Sequence, residues 1–541
     1  MASNNNDEVS PVAPPSDLVA VTETLTEGSG ANLKKQTHLR HDSQDSRDSG
    51  DLSLPAAAAG NGEYKVYKRR FFGLAQLVLL NVIVSWDWLT FSAVSKTASE
   101  HFRVSEGTIN WMSIGFQFAF CVSSPIVIWT LNKGGPKQSL TVSAVLLLIG
   151  NWIRYGGTRA NGGIFGVAMF GQILIGFAQP FCLSAPTRYS DLWFTDRGRT
   201  SATALATLAN PFGGALGQLI GPLFATKASE IPNMVLYISI IVRKLTPPPN
   251  ALTALLELNQ KTQTNHTNKP PQSSIACIPT LFIPSKPPTP PSAASNVPRL
   301  PLTESPLALL RTLEFWLIFL PFSIYVGLFN SISSLLNQIL QPHGFSETDA
   351  GITGALLIVV GLVAAAILSP LTDRYKNYLL TTKILVPIIA VCYIGFIFAP
   401  RASSVAGPYV TAALLGASSF AVLPVILEYL VEITYPMSPE VSSAVCWVGG
   451  QLCGAAFILI ENALKAGERA RPPRNMYKAL VFQAVVASVV VPVPLCLGMF
   501  GRVIRRRRFE VEGVVVVVER EREREREGEG GSWEDDGGKV V

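Results

Sequence analysis

The sequence of 541 residues is 48% hydrophobic and only 15% charged, with a formal net charge of +6. Soluble domains carry about 25% charged residues, whereas residues 65–500 here hold only 47 of the 82 charges, so a water-soluble globular protein is excluded. The seven scattered cysteines form no CxxC pair, which excludes a secreted disulfide scaffold, and the diluted charge surplus gives no reason to expect a nucleic-acid partner.

The N-terminal segment, residues 1–64, is polar and shows no hydrophobic periodicity. Such a segment cannot bury enough apolar surface to fold, so we predict a disordered tail. The first apolar run begins near residue 71, and we expect no signal peptide. Four basic residues precede this run and favour a cytoplasmic N-terminus: Lys65, Lys68, Arg69 and Arg70.

Twelve apolar runs follow at short intervals. They lie near residues 71–94, 109–131, 139–155, 164–186, 202–225, 231–242, 315–339, 350–371, 379–398, 410–430, 441–464 and 477–500. Most have the roughly 20 residues that a helix needs to cross about 30 Å of hydrocarbon. The pattern therefore predicts an all-α membrane protein with twelve transmembrane helices, embedded in a lipid bilayer with both termini cytoplasmic.

The sixth run is interrupted. Residues 231–242 are too few to span a bilayer, and a second apolar piece begins at residue 274. We predict that residues 243–273 are an insertion within this span, such as a retained intron or a gene-prediction error; the alternative is a broken helix and a long loop. Residues 274–307 would then complete the span and link the two halves, and residues 501–541 would form a low-complexity charged tail.

Two short loops occupy matching places after the second and eighth spans. The first carries Asn132, Lys133 and Lys137, and the second carries Asp373 and Arg374. This pair resembles the loop signature of the major facilitator superfamily, whose two six-helix bundles are related by an internal repeat. The resemblance implies six-helix bundles at residues 65–242 and 308–500, with loops that latch helices together. Ordinary positively charged inner loops are the alternative.

Polar residues lie on one face of several predicted spans. They are Asn81, Ser85, Trp88 and Ser92 in span one; Ser113, Gln117 and Ser124 in span two; Gln172 and Gln179 in span four; Thr203, Thr207 and Asn210 in span five; Ser323, Asn330, Ser334 and Asn337 in span seven; and Ser443, Trp447 and Gln451 in span eleven. Buried polar groups need a partner or water. The faces are therefore expected to meet at a central aqueous cavity; hydrogen bonds between helices are the alternative.

Acidic residues are rarer within the spans. Asp87 lies mid-span between two tryptophans, and Glu428 and Glu432 lie at the inner end of span ten. A carboxylate beside aromatic rings suits an organic cation. Asp87 could equally carry a coupling proton or pair with a neighbouring side chain.

Longer strings make the resemblance more specific. Residues 431–436, which read VEITYP, the Asn337-Gln338 pair, and the stretch from Gly171-Gln172 to Trp193-Phe194 resemble the feline leukaemia virus subgroup C receptor-related family. These facilitators are linked to choline, ethanolamine and haem, and one relative is linked to pyridoxine. The likeness covers roughly residues 65–500, apart from 243–273.

The resemblance also implies solute-binding residues. Four positions match the family's ligand residues and lie on the polar faces described above: Trp88, Gln179, Asn210 and Gln451. The family's cage tyrosine in span seven falls on Asn330, which weakens an aromatic cage for a quaternary amine. Asp87 stands where relatives carry a neutral amide, which favours a protonated amine.

We therefore expect a secondary active or facilitative transporter that moves a small organic solute, an amine or vitamin-like compound of the choline/ethanolamine class, by alternating access. No ATP-binding motif, nucleophile elbow or metal-spaced histidine pair occurs in the sequence, so we expect no enzyme, cofactor or metal site. The alternatives are a haem transporter, although all five histidines lie outside the spans, and a non-transporting receptor or sensor. We expect a monomer in the plasma membrane or the vacuolar or lysosomal membrane.

Overall fold

The structure is a computed structural model of the chain. It describes residues 67–240, 280, 283–289, 312–375, 377–401, 404–434 and 439–497. The predicted tails at 1–64 and 501–541 and the predicted insertion at 243–273 lie outside the described residues. The boundaries of the predicted segments therefore stay predictions.

Seven helices make up the described part of the N-terminal half. They are α1 (Arg69–Leu89), α2 (Ser95–Phe102), α3 (Glu106–Arg159), α4 (Phe165–Leu183), α5 (Ala185–Trp193), α6 (Asp196–Phe224) and α7 (Ile231–Ile240). The Ser105 side chain caps α3 by accepting a hydrogen bond from the Thr108 N–H, which satisfies one of the unpaired donors at the helix start.

The helix α3 contains predicted spans two and three, joined by a tight turn. Gly135 has φ 70° and ψ −175° at this turn, a conformation that glycine adopts without a Cβ clash. Gly115 and Gly150, one in each part of α3, both pack closely on α4. A Cβ on Gly115 would lie 2.3 Å from Met169 Cε, and a Cβ on Gly150 would lie 2.8 Å from the Gly171 carbonyl oxygen. The two parts of α3 therefore run side by side, as two spans joined by a short loop.

Seven further helices make up the described part of the C-terminal half. They are α8 (Leu313–Leu340), α9 (Glu347–Tyr375), α10 (Tyr378–Phe396), α11 (Ala406–Thr434), α12 (Pro439–Ala463), α13 (Tyr477–Val490) and α14 (Pro492–Leu495). Each of α8 to α12 carries a long apolar run, and most contain one proline that is tolerated because neighbouring helices surround it.

Nine helices in the described part of the chain are long and apolar enough to cross a membrane. Because α3 contains two predicted spans, these helices account for ten of the twelve predicted spans. The fifth predicted span corresponds to α6, which has 29 residues, and the interrupted sixth corresponds to α7, which has ten described residues.

The first predicted span is too long at its C-terminal end. Helix α1 ends at Leu89 and not at residue 94, because the chain turns through residues 90–94, where Val94 has φ −124° and ψ 42°. The short helix α2 that follows was not predicted from the sequence. This difference matters for the site, because the turn brings α2 against the C-terminal half.

Close helix pairs hold each half together. Within the N-terminal half, α1 packs against α6 and α3 against α4; within the C-terminal half, α8 packs against α12 and α9 against α11. Two further pairs, α3 with α12 and α6 with α9, join the halves. Glycines permit the closest approaches: a Cβ on Gly213 of α6 would lie 2.0 Å from the Val82 carbonyl oxygen of α1. The site residues lie on these helix pairs.

Candidate functional site

Trp88 lies one residue before the end of α1 and is buried. Its ring stacks on Phe116 of α3, with 6.4 Å between the ring centroids and 26° between the planes. Its indole N–H has no hydrogen-bond partner in the described part of the chain. Leaving such a donor unpaired costs about 1–3 kcal/mol, so this N–H is available to a solute or a water molecule.

Gln117 follows Phe116 on α3 and is fully buried. Within the described residues, neither the oxygen nor the nitrogen of its side-chain amide has a hydrogen-bond partner. A Cβ on Gly454 of α12 would lie 2.9 Å from Gln117 Oε1 and 3.1 Å from Asn330 Nδ2. Gln117 of the N-terminal half therefore meets α8 and α12 of the C-terminal half where a glycine leaves room.

Two predicted site residues of the C-terminal half contact each other directly. Asn330 Nδ2 on α8 donates a hydrogen bond to Gln451 Oε1 on α12, at 3.1 Å, and both side chains are buried. This pair lies beside Gln117, because Asn330 and Gln117 both border Gly454. The three amides form a polar group between the halves.

The other two predicted residues surround Asn81 of α1. Asn210 Nδ2 on α6 lies 3.4 Å from the Asn81 carbonyl oxygen and 3.5 Å from its Oδ1. Asn81 Nδ2 in turn donates to the Cys182 carbonyl oxygen of α4 at 3.1 Å. Gln179, one turn before Cys182, is buried, and its Oε1 has no partner among the described residues. Asn81 thus ties together the helices that carry Gln179 and Asn210.

These contacts form two groups, and no hydrogen bond between the two groups is seen within the described residues. Trp88, Gln117, Asn330 and Gln451 lie around the α3–α8–α12 contact, and Gln179 and Asn210 lie around Asn81 on the same helix as Trp88. One central cavity shared by Trp88, Gln179, Asn210 and Gln451 stays a prediction.

Asp87 forms an ion pair with Arg154 of α3, and both side chains are inaccessible to solvent. Its second carboxylate oxygen accepts a hydrogen bond from Asn151 Nδ2 at 2.7 Å. Arg154 also donates to Gln172 Oε1 of α4 at 2.9 Å and to the Asp87 backbone carbonyl at 3.0 Å. Pairing with a neighbour, one of the three alternatives for Asp87, matches these contacts. The coupling and cation-binding roles stay predictions.

The predicted loop latch shows no cross-helix contact in the described residues. Asn132 is exposed, and its side-chain amide donates to the Ile128 carbonyl of its own helix at 3.0 Å. The Lys133 ammonium group lies 5.2 Å from the centre of the Trp129 ring. Lys137 is half-buried and Arg374 is exposed. The side chains of Asp373, Glu428 and Glu432 lie outside the described residues.

Two buried charged residues inside the spans were missed by the sequence reasoning. Arg154 lies in predicted span three and Glu461 in predicted span eleven, and both are fully buried. A charge within an otherwise apolar run is the signal that could have found them, because such residues are rare in spans and mark a partner or a function. Gln117 was on a polar face but was not chosen for the site.

The halves are joined at one end by polar contacts that we call the distal cluster: Glu106, Asn110, Gln338, Asn462 and Lys465. This is the end of the bundle where α1 ends and α3 begins. Lys465 donates to Glu106 Oε2 at 2.6 Å and to Gln338 Oε1 at 3.3 Å. Gln338 Nε2 donates to Asn110 Oδ1 at 2.7 Å, and Asn110 Nδ2 donates to Asn462 Oδ1 at 3.2 Å.

A second contact closes the same end. Glu347, at the start of α9, accepts hydrogen bonds from the Thr97 hydroxyl of α2 at 2.6 Å and from Asn337 Nδ2 of α8 at 2.9 Å. Asn337 also donates to the Ala93 carbonyl oxygen at 3.3 Å. The unpredicted helix α2 therefore supplies part of the closure between the two halves.

Comparisons with known proteins agree with this architecture. Residues 77–458 match the sequence profile of the Major Facilitator Superfamily. The chain is 31% identical over 420 residues to "Solute carrier family 49 member A3" of Danio rerio, which covers 76% of this chain and 82% of that protein. It is 28% identical over 452 residues to "Choline/ethanolamine transporter FLVCR1" of Mus terricolor, which covers 78% of this chain and 75% of that protein.

The fold is also found in a solved structure. "Crystal structure of D-xylose-proton symporter" superimposes with a TM-score of 0.52 and 13% identity, over 81% of this chain and 99% of that one, and shows a likeness of fold alone. The predicted all-α membrane fold, the resemblance to the receptor-related facilitators and the prediction of a small-solute transporter are confirmed. The chain belongs to the Major Facilitator Superfamily.

Proposed function

We propose that this transporter moves a small organic amine of the choline/ethanolamine class across the membrane by alternating access. The observation that carries the proposal is the presence of buried polar groups without partners beside a stacked indole. Among the described residues, these groups include the Trp88 N–H and both amide atoms of Gln117; the Gln179 oxygen, in the group around Asn81, is also without a partner. Relatives named as choline/ethanolamine transporters support the same solute class.

The chemistry of these groups suits an amino alcohol or a related amine. An indole face attracts an organic cation by about 0.5–1 kcal/mol when exposed and by about 2 kcal/mol or more when desolvated. Amide oxygens accept hydrogen bonds from an ammonium or hydroxyl group, and amide nitrogens donate to a hydroxyl oxygen. Binding would satisfy atoms that otherwise each cost about 1–3 kcal/mol.

The closure at one end supports alternating access. The distal cluster and the Glu347 contacts join the halves where α1 ends. At the opposite end, the loop residue Asn132 bonds, among the described residues, to the Ile128 carbonyl of its own helix. Exposing the site to the distal side therefore requires these contacts to break while the halves rock about the site. The predicted topology would place the distal end outside the cytoplasm, with both termini inside.

Haem is less well supported than a small amine. A carrier that binds haem is expected to supply an axial ligand, such as histidine, to the haem iron. Of the two histidines in the described residues, His101 lies near the end of α2 and His343 in the 3-10 turn after α8. His101 Nε2 is 3.0 Å from the Thr158 carbonyl oxygen. We propose a monomer in the plasma membrane or a vacuolar or lysosomal membrane.

The test is radiolabelled uptake of choline, ethanolamine, pyridoxine and haem side by side, in cells that express the wild-type chain or Trp88→Ala at equal surface levels. We expect cells with the wild-type chain to take up more choline or ethanolamine than untransfected cells. In cells with Trp88→Ala, this uptake should be lost at low solute concentration. Uptake of haem alone, or uptake equal to that of untransfected cells for all four solutes, would contradict the proposal.

A further inference from the structure

Glu461 is a buried carboxyl group without a counter-charge. It lies in the last turn of α12 and is inaccessible to solvent. No lysine, arginine or histidine of the described residues forms an ion pair with it, and Lys465, one turn further along, is paired with Glu106. Burying an ionised carboxylate without a partner costs so much that such a group takes up a proton instead.

The hydrogen bonds of Glu461 fit a neutral carboxylic acid. Its Oε2 accepts a hydrogen bond from Gln483 Nε2 of α13 at 2.9 Å. Its Oε1 lies 2.9 Å from Ser331 Oγ of α8, and the same hydroxyl lies 3.1 Å from the Leu328 carbonyl oxygen. One hydroxyl proton cannot serve both oxygens. When Ser331 donates to the carbonyl, the proton shared with Glu461 must come from the carboxylic acid.

The other groups around Glu461 do not favour a negative charge. The last turn of a helix carries a partial negative charge, which disfavours a carboxylate there. The titratable group of α10 that interacts electrostatically with it is Tyr393, which is buried in the same cluster as Tyr325 of α8. Phenols and thiols are ordinarily neutral at physiological pH and supply no positive charge. In the part of the chain that the structure describes, the helices packed on Glu461 therefore offer neutral groups.

Glu461 lies between the solute site and the distal cluster. Gln451 precedes it on α12 by ten residues, or about 15 Å of helix. Ser331 follows Asn330 on α8, so the helix that holds the solute-site amide also holds the Glu461 partner. Asn462, in the distal cluster, is the next residue after Glu461. Ser331 and Gln483 belong to the same half as Glu461, whereas Asn462 bonds to Asn110 of the other half. Opening of the distal end would break the Asn462 contact and bring water to the turn of α12 that carries this carboxyl.

We propose that Glu461 is a proton-binding site that couples proton binding to the transport cycle. The carboxyl is protonated while the distal end is closed and releases its proton to the medium when that end opens and hydrates it. Closure with an ionised Glu461 is disfavoured, because the charge would be buried without a partner. The role in transport rests on the proposed function, whereas the proton on Glu461 does not.

The first experiment detects the proton without any solute. Infrared spectroscopy of the purified full-length protein should show the carbonyl band of a protonated carboxylic acid that decreases as the pH is raised. The band should be missing in Glu461→Gln, in which the amide replaces the acid with the same shape and keeps a donor for Ser331. Glu468→Gln, which alters an exposed carboxylate bonded to Arg474, is the matched control and should retain the band.

The second experiment measures transport. Uptake of labelled choline or ethanolamine into proteoliposomes should depend on pH in the wild type and in Glu468→Gln, and this dependence should be lost in Glu461→Gln. An absent infrared band, or equal pH dependence in wild type and Glu461→Gln, would overturn the proposal. If no solute moves in the wild type, the proposed solute class fails, and the infrared band still decides the proton site.

Discussion

Replacing Asp87 by Asn tests the buried ion pair and separates the three roles that its sequence position suggests. The substitution keeps the shape of the side chain and removes its charge. Arg154 then stays in the interior of the N-terminal half without a counter-charge, because both side chains are inaccessible to solvent. The expected result is a loss of stability with little change in transport by the molecules that remain folded.

The size of the loss follows from the contacts that survive. Removing one partner of a buried pair typically costs about 3–5 kcal/mol. In Asp87→Asn, Arg154 still donates to Asn151 Oδ1 at 2.7 Å, to Gln172 Oε1 at 2.9 Å and to the backbone carbonyl of residue 87 at 3.0 Å. These acceptors stabilise the guanidinium, so we expect the lower end of the range, about 3 kcal/mol, or more than about a hundredfold in the unfolding equilibrium.

The assay is denaturant unfolding of the purified protein in mixed micelles, followed by tryptophan fluorescence. Asp87→Asn is compared with the double variant Asp87→Asn/Arg154→Met, which removes the uncompensated charge and should recover most of the loss. Glu468→Gln, in the exposed pair with Arg474, is the control and should unfold like the wild type, because exposed pairs contribute little.

Three outcomes separate the roles of Asp87. A destabilised Asp87→Asn that is rescued by the double variant supports a structural pair. Normal stability with a transport rate that no longer depends on pH would identify Asp87 as the proton carrier. Normal stability with a raised KM at every pH would identify it as the partner of a cationic solute. Either of the last two results would refute the reasoning from the ion pair.

Three further predictions address the site, the closure and the packing. Trp88→Ala should raise the transport KM about tenfold or more, since 1.4 kcal/mol is one decade, and Trp88→Phe should raise it less; uptake kinetics at equal surface expression measure both. Lys465→Gln should loosen the distal cluster. A cysteine introduced at Asn110 should therefore react faster with an impermeant thiol reagent in the Lys465→Gln background than in the background that keeps Lys465. Gly213→Leu should abolish folded protein in size-exclusion chromatography, because a Cβ there meets a backbone carbonyl of α1 at 2.0 Å, whereas Gly156→Ala, with open space around it, should behave as the wild type.

Much of the fold could be predicted from the sequence, because span length and hydropathy are imposed by the bilayer. Ten of the predicted spans coincide with long apolar helices. Helix α2 could not be found in this way, since Ser95–Phe102 is short and polar and is stabilised by contacts with Glu347, which lies 250 residues further along the chain. A contact between distant residues leaves no local pattern.

The candidate site was predicted in part. Asn330 and Gln451 lie on the predicted polar faces of α8 and α12 and bond to each other; that these faces bind a solute stays a prediction. The same reasoning could not tell a solute-binding amide from one that bonds to another helix, as Asn81 does with the Cys182 carbonyl. Arg154 was missed because one charged residue changes the mean hydropathy of an apolar run only slightly. Asp87 in the neighbouring helix nevertheless gave a reason to look for a cation.

The measurement that tests the central claim most directly is counterflow with the purified full-length protein in liposomes. Vesicles are loaded with unlabelled choline or ethanolamine and diluted into a trace of the same labelled amine. The account predicts transient accumulation of label with the wild type, and with Trp88→Ala only when the vesicles are loaded with about tenfold more amine. Labelled amine in wild-type vesicles that never exceeds that in protein-free vesicles would contradict the claim that this chain carries a small organic amine at a site that includes Trp88.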